Sequence, residues 1–183
     1  QTVKDGLARL LEADRLVRQH LAGITVIYLP QLFEAEQYCT RRLLEFGSAR
    51  FSEPKRLGAM LRQASRDGDI DYSPRQEEAI RQAAGAGLLL ITGGPGTGTT
   101  TILNGILSLF DQMELKCVLA APTGRAAKRL TEVTDREAST IHRLLEAGID
   151  PHTGKMFFAK DQENPLKADA VIVDEMSMVD IQL

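Results

Sequence analysis

The run Gly93-Gly94-Pro95-Gly96-Thr97-Gly98-Thr99-Thr100 is the part of the sequence best suited to chemistry. Its small residues let backbone N–H groups approach an anion closely. A helix is expected from about Thr99 to Asp111, and its positive N-terminal end would face the same anion. The spacing follows the phosphate-loop pattern GxxxxGK[ST] except at one place, because Thr99 stands where the pattern has lysine. Thr100 takes the position whose hydroxyl binds Mg²⁺. A threonine at 99 neither reaches the β- and γ-phosphates nor neutralises their charge. The missing charged hydrogen bond is worth roughly 1.5–3 kcal/mol, or about 10- to 100-fold in nucleotide affinity. The effect on turnover is larger, since that lysine stabilises transition-state charge. The intact remainder of the loop favours a single change from lysine, introduced to stop turnover. A naturally degenerate loop is the other origin, and a glycine-rich strand-to-helix turn without a ligand is the plainest reading.

Two carboxylates follow a second apolar run, Ala170-Val171-Ile172-Val173-Asp174-Glu175. In phosphate-loop enzymes such a pair places Asp on Mg²⁺ through water and Glu on the attacking water. Alone it reads equally well as a strand and a charged turn; with the glycine loop upstream the catalytic reading prevails. Strand ends of a parallel sheet gather at one edge, where ligands bind. Arg125, Lys128 and Arg129 have no acidic neighbour between Lys116 and Leu130. With Thr123 at a helix start they suit a phosphate backbone, against the plain reading of a solvated helix face. His142 taken alone reads as a structural histidine.

The elements that must position these residues follow from pattern. Val3, Leu7, Leu10 and Leu11 recur at helical spacing over residues 2–16. Leu16–Leu21 and Ile24–Leu29 read as a hairpin around Ala22-Gly23, and Gln31–Phe46 as an amphipathic helix stopped by Gly47. Glu53–Arg66 is helical. The polar break Arg66-Asp67-Gly68-Asp69 marks a candidate boundary. Ser73-Pro74 opens a helix to about Ala84, with Glu77 expected to complete a capping box. Leu88–Thr92, Cys117–Ala120 and Ala170–Val173 are apolar runs of the kind buried on both faces of a parallel sheet. Helices are expected over Thr123–Leu130 and over Thr140–Ala147, the latter stopped by Gly148, and a short exposed strand over Met156–Ala159. Strands alternating with helices from residue 74 imply βαβ units.

Composition is that of an ordinary soluble globular chain: 183 residues, 43% hydrophobic and 26% charged. The net charge of −3 divides into +2 over residues 1–70 and −5 over 71–183, so nucleic-acid binding would have to come from local patches. Cys39 and Cys117 lack any CxxC or Cys/His pattern, which speaks against zinc and a disulfide framework and for a reducing cytoplasm. No apolar run nears the roughly 20 residues a membrane helix needs. The chain starts with Gln and ends shortly after Asp180, and both ends are expected to be cut.

Leu88–Thr101 (LLLITGGPGTGTTT), Ala120–Leu130 (AAPTGRAAKRL), Thr140–Leu145 (TIHRLL) and Asn164–Asp180 (NPLKADAVIVDEMSMVD) together resemble the RecD-like superfamily 1 DNA helicases, the exodeoxyribonuclease V alpha subunit family. Ser73-Pro74-Arg75-Gln76-Glu77 resembles that family's Q motif. The motifs fall in order over residues 73–180. The resemblance implies an α/β fold: a P-loop, RecA-like parallel sheet with flanking helices, the truncated first lobe of a motor. A small winged-helix-like region (1–52) and a helical linker (53–72) would precede the lobe (73–183).

By the same resemblance Gln76 would contact adenine, and Gly94, Pro95, Gly96, Thr97, Gly98, Thr99, Thr100 and Thr101 would wrap the phosphates of ATP. Thr100 and Asp174 would serve Mg²⁺, with Asp174 and Glu175 catalytic. Pro122, Thr123, Arg125, Thr140 and His142 would lie along single-stranded DNA. The resemblance further implies a parent that couples ATP hydrolysis to 5′–3′ unwinding in DNA repair and recombination, with RecB- or RecC-like partner subunits. This chain, lacking the second lobe and its arginine finger, is expected to turn over ATP poorly even with lysine at 99. The alternatives are a P-loop ATPase of another kind, or a non-catalytic DNA-binding or scaffold module with a degenerate nucleotide pocket.

Overall fold

The computed structural model describes residues 2–94 and 96–181. The chain divides into two compact units that meet in sequence between Ser48 and Ala49.

The first unit holds helix α1 (Thr2–Glu12), strands β1 (Val17–Leu21) and β2 (Ile24–Tyr28), and helix α2 (Pro30–Ser48). The strands form an antiparallel hairpin in which Leu21 faces Ile24. Its two-residue turn, Ala22-Gly23, has φ of +48° and +82°. Two positive φ values match the twist of the flanking strands, and glycine accepts one of them without strain. Pro30 ends the hairpin and supplies the first helical position of α2. Gly47 does not stop α2, which runs one residue further. The Tyr28 ring packs against Phe33 with centroids 5.5 Å apart, and its hydroxyl donates to Glu36 at 3.4 Å. No residue of α1 or α2 is fully buried.

The second unit runs through α3 (Leu57–Asp67), α4 (Pro74–Ala83), α5 (Thr99–Gln112), β3 (Cys117–Ala121), α6 (Gly124–Thr134), β4 (Ala138–Thr140), α7 (Ile141–Leu144), β5 (Ala147–Ile149), β6 (Met156–Phe158) and β7 (Ala170–Val173), then a 3₁₀ turn at Met176–Met178. Strands β4, β3 and β7 form a parallel sheet in that order. In register, Ala121 pairs with Thr140 and Ala120 with Val173. Helices α3, α4 and α5 meet in a core built on Leu57, Leu61, Ile80, Ile106 and Leu109, with Ile172 of the sheet packed against it. Leu107 of α5 joins Leu119 and Leu130 in a second cluster. The fold is therefore mixed α/β with a parallel sheet flanked by helices, as the βαβ pattern predicts.

Three local expectations are corrected. Leu88–Thr92 forms no strand. Ala86 makes a single antiparallel bridge to Arg50, and Gly87 N–H donates to Ala49 at 3.2 Å; no ladder follows. Among the described residues β7 pairs only with β3, so the apolar run has no partner, and Leu90 is 78% exposed. Gly148 does not cap a helix: the helix is the short α7, and Gly148 lies in β5 opposite Phe157 of β6. The ring of Phe157 would stand 2.6 Å from a Cβ at 148, so glycine lets the ring lie over the strand and any side chain there would push it aside. Finally, the capping box of α4 is completed by Gln76, not Glu77. Counting from Ser73 places Gln76 at the third helical position, and Glu77 instead pairs with Arg81 at 3.1 Å.

Candidate nucleotide and nucleic-acid site

The glycine loop enters α5 through Gly98, whose φ is +83°. Gly96 has φ of +75°. Both values lie in the left-handed region that glycine adopts freely, which is why the loop carries glycine at these positions. Within the loop Thr97 donates twice to the carbonyl of Gly94, from its amide at 3.2 Å and its hydroxyl at 2.8 Å. A Cβ at Gly93 would fall 2.3 Å from the Thr97 hydroxyl. Pro95 lies outside the described residues. Thr99, Thr100 and Thr101 form the first turn of α5, and no side chain caps that helix. Thr99 and Thr100 are exposed. Among the described residues no side chain accepts from the first amides of α5.

Helix α5 packs against the sheet through Ile106 and Leu107, and a connection of four residues leads from its end to the start of β3. It therefore runs back across the sheet against the direction of β3. Its N-terminus and the glycine loop are carried toward the edge where β3, β4 and β7 end.

At that edge the parallel register brings three further groups together. Beyond β3, Thr123 caps α6, its hydroxyl accepting from Ala126 N–H at 3.2 Å. Pro122 stands between strand and cap, and Arg125 is exposed in the first turn of α6. Beyond β4, Thr140 caps α7 by accepting from Arg143 N–H at 3.2 Å. The ring of His142 in α7 lies 6.1 Å from that of Phe158. Beyond β7, Asp174 continues the ladder by donating its N–H to Ala120 at 3.0 Å. Its Oδ1 accepts from Glu175 N–H at 2.9 Å, and Glu175 takes φ of +54°. Both carboxylates are exposed. On α6 Arg125 and Arg129 make no ion pair among the described residues, while Lys128 reaches Glu132 at 3.9 Å. The local excess of positive charge is accordingly smaller than the sequence run alone suggests.

Gln76 is distant from the glycine loop in chain order but meets it in space. Its side-chain nitrogen would be 2.4 Å from a Cβ at Gly98, so the first turn of α4 touches the end of the glycine loop. Among the described residues no cluster of three or more His, Cys, Asp or Glu could hold a metal. A hydroxyl from Thr100 and a carboxylate from Asp174 are nonetheless hard oxygen donors, which is the ligand chemistry of Mg²⁺ bound chiefly through phosphates and water. No helix among the described residues is long and apolar enough to cross a membrane.

The functional detail that pattern reading missed is strand β4. Three residues are too few for a periodic signal, yet β4 is what sets Thr140 beside Ala121.

A family model described as an AAA domain matches residues 76–183. The chain is 37% identical over 158 residues to the ATP-dependent RecD2 DNA helicase of Deinococcus radiodurans, covering 84% of this chain and 20% of that protein. It is 34% identical over 188 residues to the RecBCD enzyme subunit RecD of Mycobacterium tuberculosis, covering 90% of this chain and 30% of that one. It is 38% identical over 97 residues to the ATP-dependent DNA helicase dda of Enterobacteria phage T4, covering 51% and 22%. The chain thus spans between a fifth and a third of the length of these curated relatives. Its glycine loop, parallel sheet and strand-end carboxylates agree with these matches, and the chain belongs to the AAA domain family as a RecD-like member.

Proposed function

We propose that this chain is the nucleotide-binding part of an ATP-dependent DNA helicase of RecD type. ATP with Mg²⁺ sits on the glycine loop from Gly94 through Thr101, with Gln76 at the adenine. Thr100 and Asp174 serve the metal, and Glu175 orients the attacking water. Single-stranded DNA runs past Pro122, Thr123, Arg125, Thr140 and His142. The whole protein couples hydrolysis to 5′–3′ unwinding in the cytoplasm, in DNA repair and recombination, and RecB- or RecC-like subunits are its candidate partners. Residues 1–52 act as a winged-helix-like region, joined through 53–72 to the ATPase lobe at 73–183.

The observation that supports this reading best is the parallel register. Pairing Ala121 with Thr140 and Ala120 with Val173 sets the caps of α6 and α7 and the Asp174-Glu175 pair at the ends of adjacent strands. A fixed edge of this kind lets a nucleotide and a nucleic-acid strand be sensed by the same short turns. The metal, when bound, supplies charge neutralisation of the phosphates; the chain's own groups bind, orient and hold the water.

Thr99 favours a second reading, a non-catalytic DNA-binding or scaffold module with a degenerate nucleotide pocket. It is exposed on the first turn of α5 and offers no cation where the loop pattern has one. Calorimetry of Mg·ATP on the chain and on Thr99→Lys separates the two. Tighter binding by the lysine form supports the helicase reading; no binding by either form overturns it. DNA-stimulated ATP turnover by the full-length protein tests the motor itself.

A further inference from the structure

Strand β4 is the least self-sufficient strand of the parallel sheet. Its residues, Ala138, Ser139 and Thr140, include no large apolar side chain, and among the described residues it has only β3 beside it. Burial of an apolar face is what ordinarily fixes a strand's register, and a slip of one residue turns every side chain to the opposite face. That constraint is weak here, yet Thr140 has to stand opposite Ala121 for the cap of α7 to reach the shared edge. The hold comes from the segment that leads into the strand. Arg136 forks onto the carboxylate of Asp111 in the last turn of α5, its Nη1 donating to Oδ1 at 2.9 Å and its Nη2 to Oδ2. Asn104, about two turns earlier on the same face of α5, donates to the carbonyl of Val133 at 3.1 Å. The N–H of Ala138 donates to the Thr131 hydroxyl at 3.1 Å.

We propose that Asp111 and Arg136 are positioning residues for the nucleic-acid end of the site: their forked ion pair fixes where β4 begins, and thereby where Thr140 and His142 stand. Arg136 lies two residues before β4, so the fork limits sliding of the strand along β3. The strand carries that constraint to its far end, where Thr140 caps α7. A single exposed ion pair stabilises little, but two parallel bonds from a planar guanidinium also set direction. This placement, which rests on the nucleic-acid reading above and deepens it, is made at the end of the sheet where β3 and β4 begin, away from the candidate site.

Amide hydrogen exchange and the binding of a fluorescent single-stranded oligothymidylate test this together, on the chain, on Asp111→Ala, on Arg136→Ala and on the double variant. The two substitutions change the charge in opposite directions. If charge alone matters, Asp111→Ala should tighten DNA and Arg136→Ala should weaken it. As a positioning pair, both should weaken it, by about three- to fivefold, and the double variant no further than either single one. Exchange should quicken at the β4 amides in all three variants and stay unchanged in the β3–β7 ladder. Asp111→Ala removes an exposed acid from a helix C-terminus, where negative charge is unfavourable, and is expected to fold normally. Tighter DNA binding by Asp111→Ala overturns the proposal, and so does β4 exchange no faster than in the unsubstituted chain. If β4 exchange responds to loss of the fork but the unsubstituted chain binds no oligothymidylate, the nucleic-acid reading falls, and the functional part of this proposal with it.

Discussion

Ile80 of α4 lies directly against the backbone of Gly105 in α5, its Cδ1 2.4 Å from where a Cβ at 105 would stand. The Tyr72 hydroxyl closes in on the same point at 3.0 Å. Ile80 is completely buried. The absence of a side chain at 105 is what lets α4 approach α5 closely enough to bring Gln76 beside Gly98.

Gly105→Ala is therefore expected to destabilise the second unit despite alanine's better helix propensity. Overpacking a filled core costs about 1–3 kcal/mol, against a gain of at most about 1 kcal/mol from propensity. Thermal or urea unfolding should show the net loss. Restored stability in Ile80→Val with Gly105→Ala would identify the steric contact as its source.

Placing lysine at position 99 is expected to tighten Mg·ATP about 10- to 100-fold, from roughly 1.5–3 kcal/mol of added charged hydrogen bonding. Calorimetry reads this directly. A change below about threefold would mean that the loop does not present position 99 to the phosphates.

Arg125 is exposed at the start of α6 and makes no ion pair among the described residues. Its contact with a DNA strand would be to phosphate, so Arg125→Ala should weaken single-stranded DNA of any sequence to a similar degree. The slope of log affinity against log salt should become shallower by about 0.7, the value for one phosphate contact on a single strand. Fluorescence anisotropy over a salt series measures both. An unchanged slope removes Arg125 from the track.

The two cysteines should react very differently. Cys39 is exposed, whereas burial pushes the Cys117 thiol up to about 11, with the Asp111 carboxylate adding to the rise and Arg136 opposing it. A thiol-specific reagent at neutral pH should label Cys39 quickly and Cys117 only on unfolding. The protonated form of Cys117 is favoured in the folded chain, so its stabilising effect is complete below the ordinary thiol value of 9.0 and is lost as pH rises toward about 11. Stability should fall over that window more steeply than in Cys117→Ala.

Much of this architecture is legible in the residues themselves. The hairpin at Ala22-Gly23 and the helix at Ser73-Pro74 carry their own local chemistry, a two-residue turn and a cap, and local chemistry is what a sequence displays. Cys117–Ala121 and Ala170–Val173 stand out because both faces of a parallel strand are covered. Leu88–Thr92 has the same apolar signature, but a strand exists only with a neighbour, and among the described residues that neighbour is not supplied. Gly148 misleads for a related reason. A glycine after an apolar stretch reads as a helix stop, and only the cross-strand ring of Phe157 lying over it shows what the small residue makes room for. At the candidate site the residue types were readable, while their gathering at one edge depends on register, which belongs to pairs of strands rather than to any single one.

The one-sided ladder of β7 also bears on how the chain behaves in concentrated solution. Among the described residues no strand pairs with its outer edge, and Val171 there is half exposed. Such an edge is a template on which a second molecule can add a strand, and a short β-branched run without charge or proline offers little resistance to growth. Turbidity should consequently rise with protein concentration. A gatekeeping charge at Val171, as in Val171→Lys, should suppress that growth while leaving the β3 ladder in place.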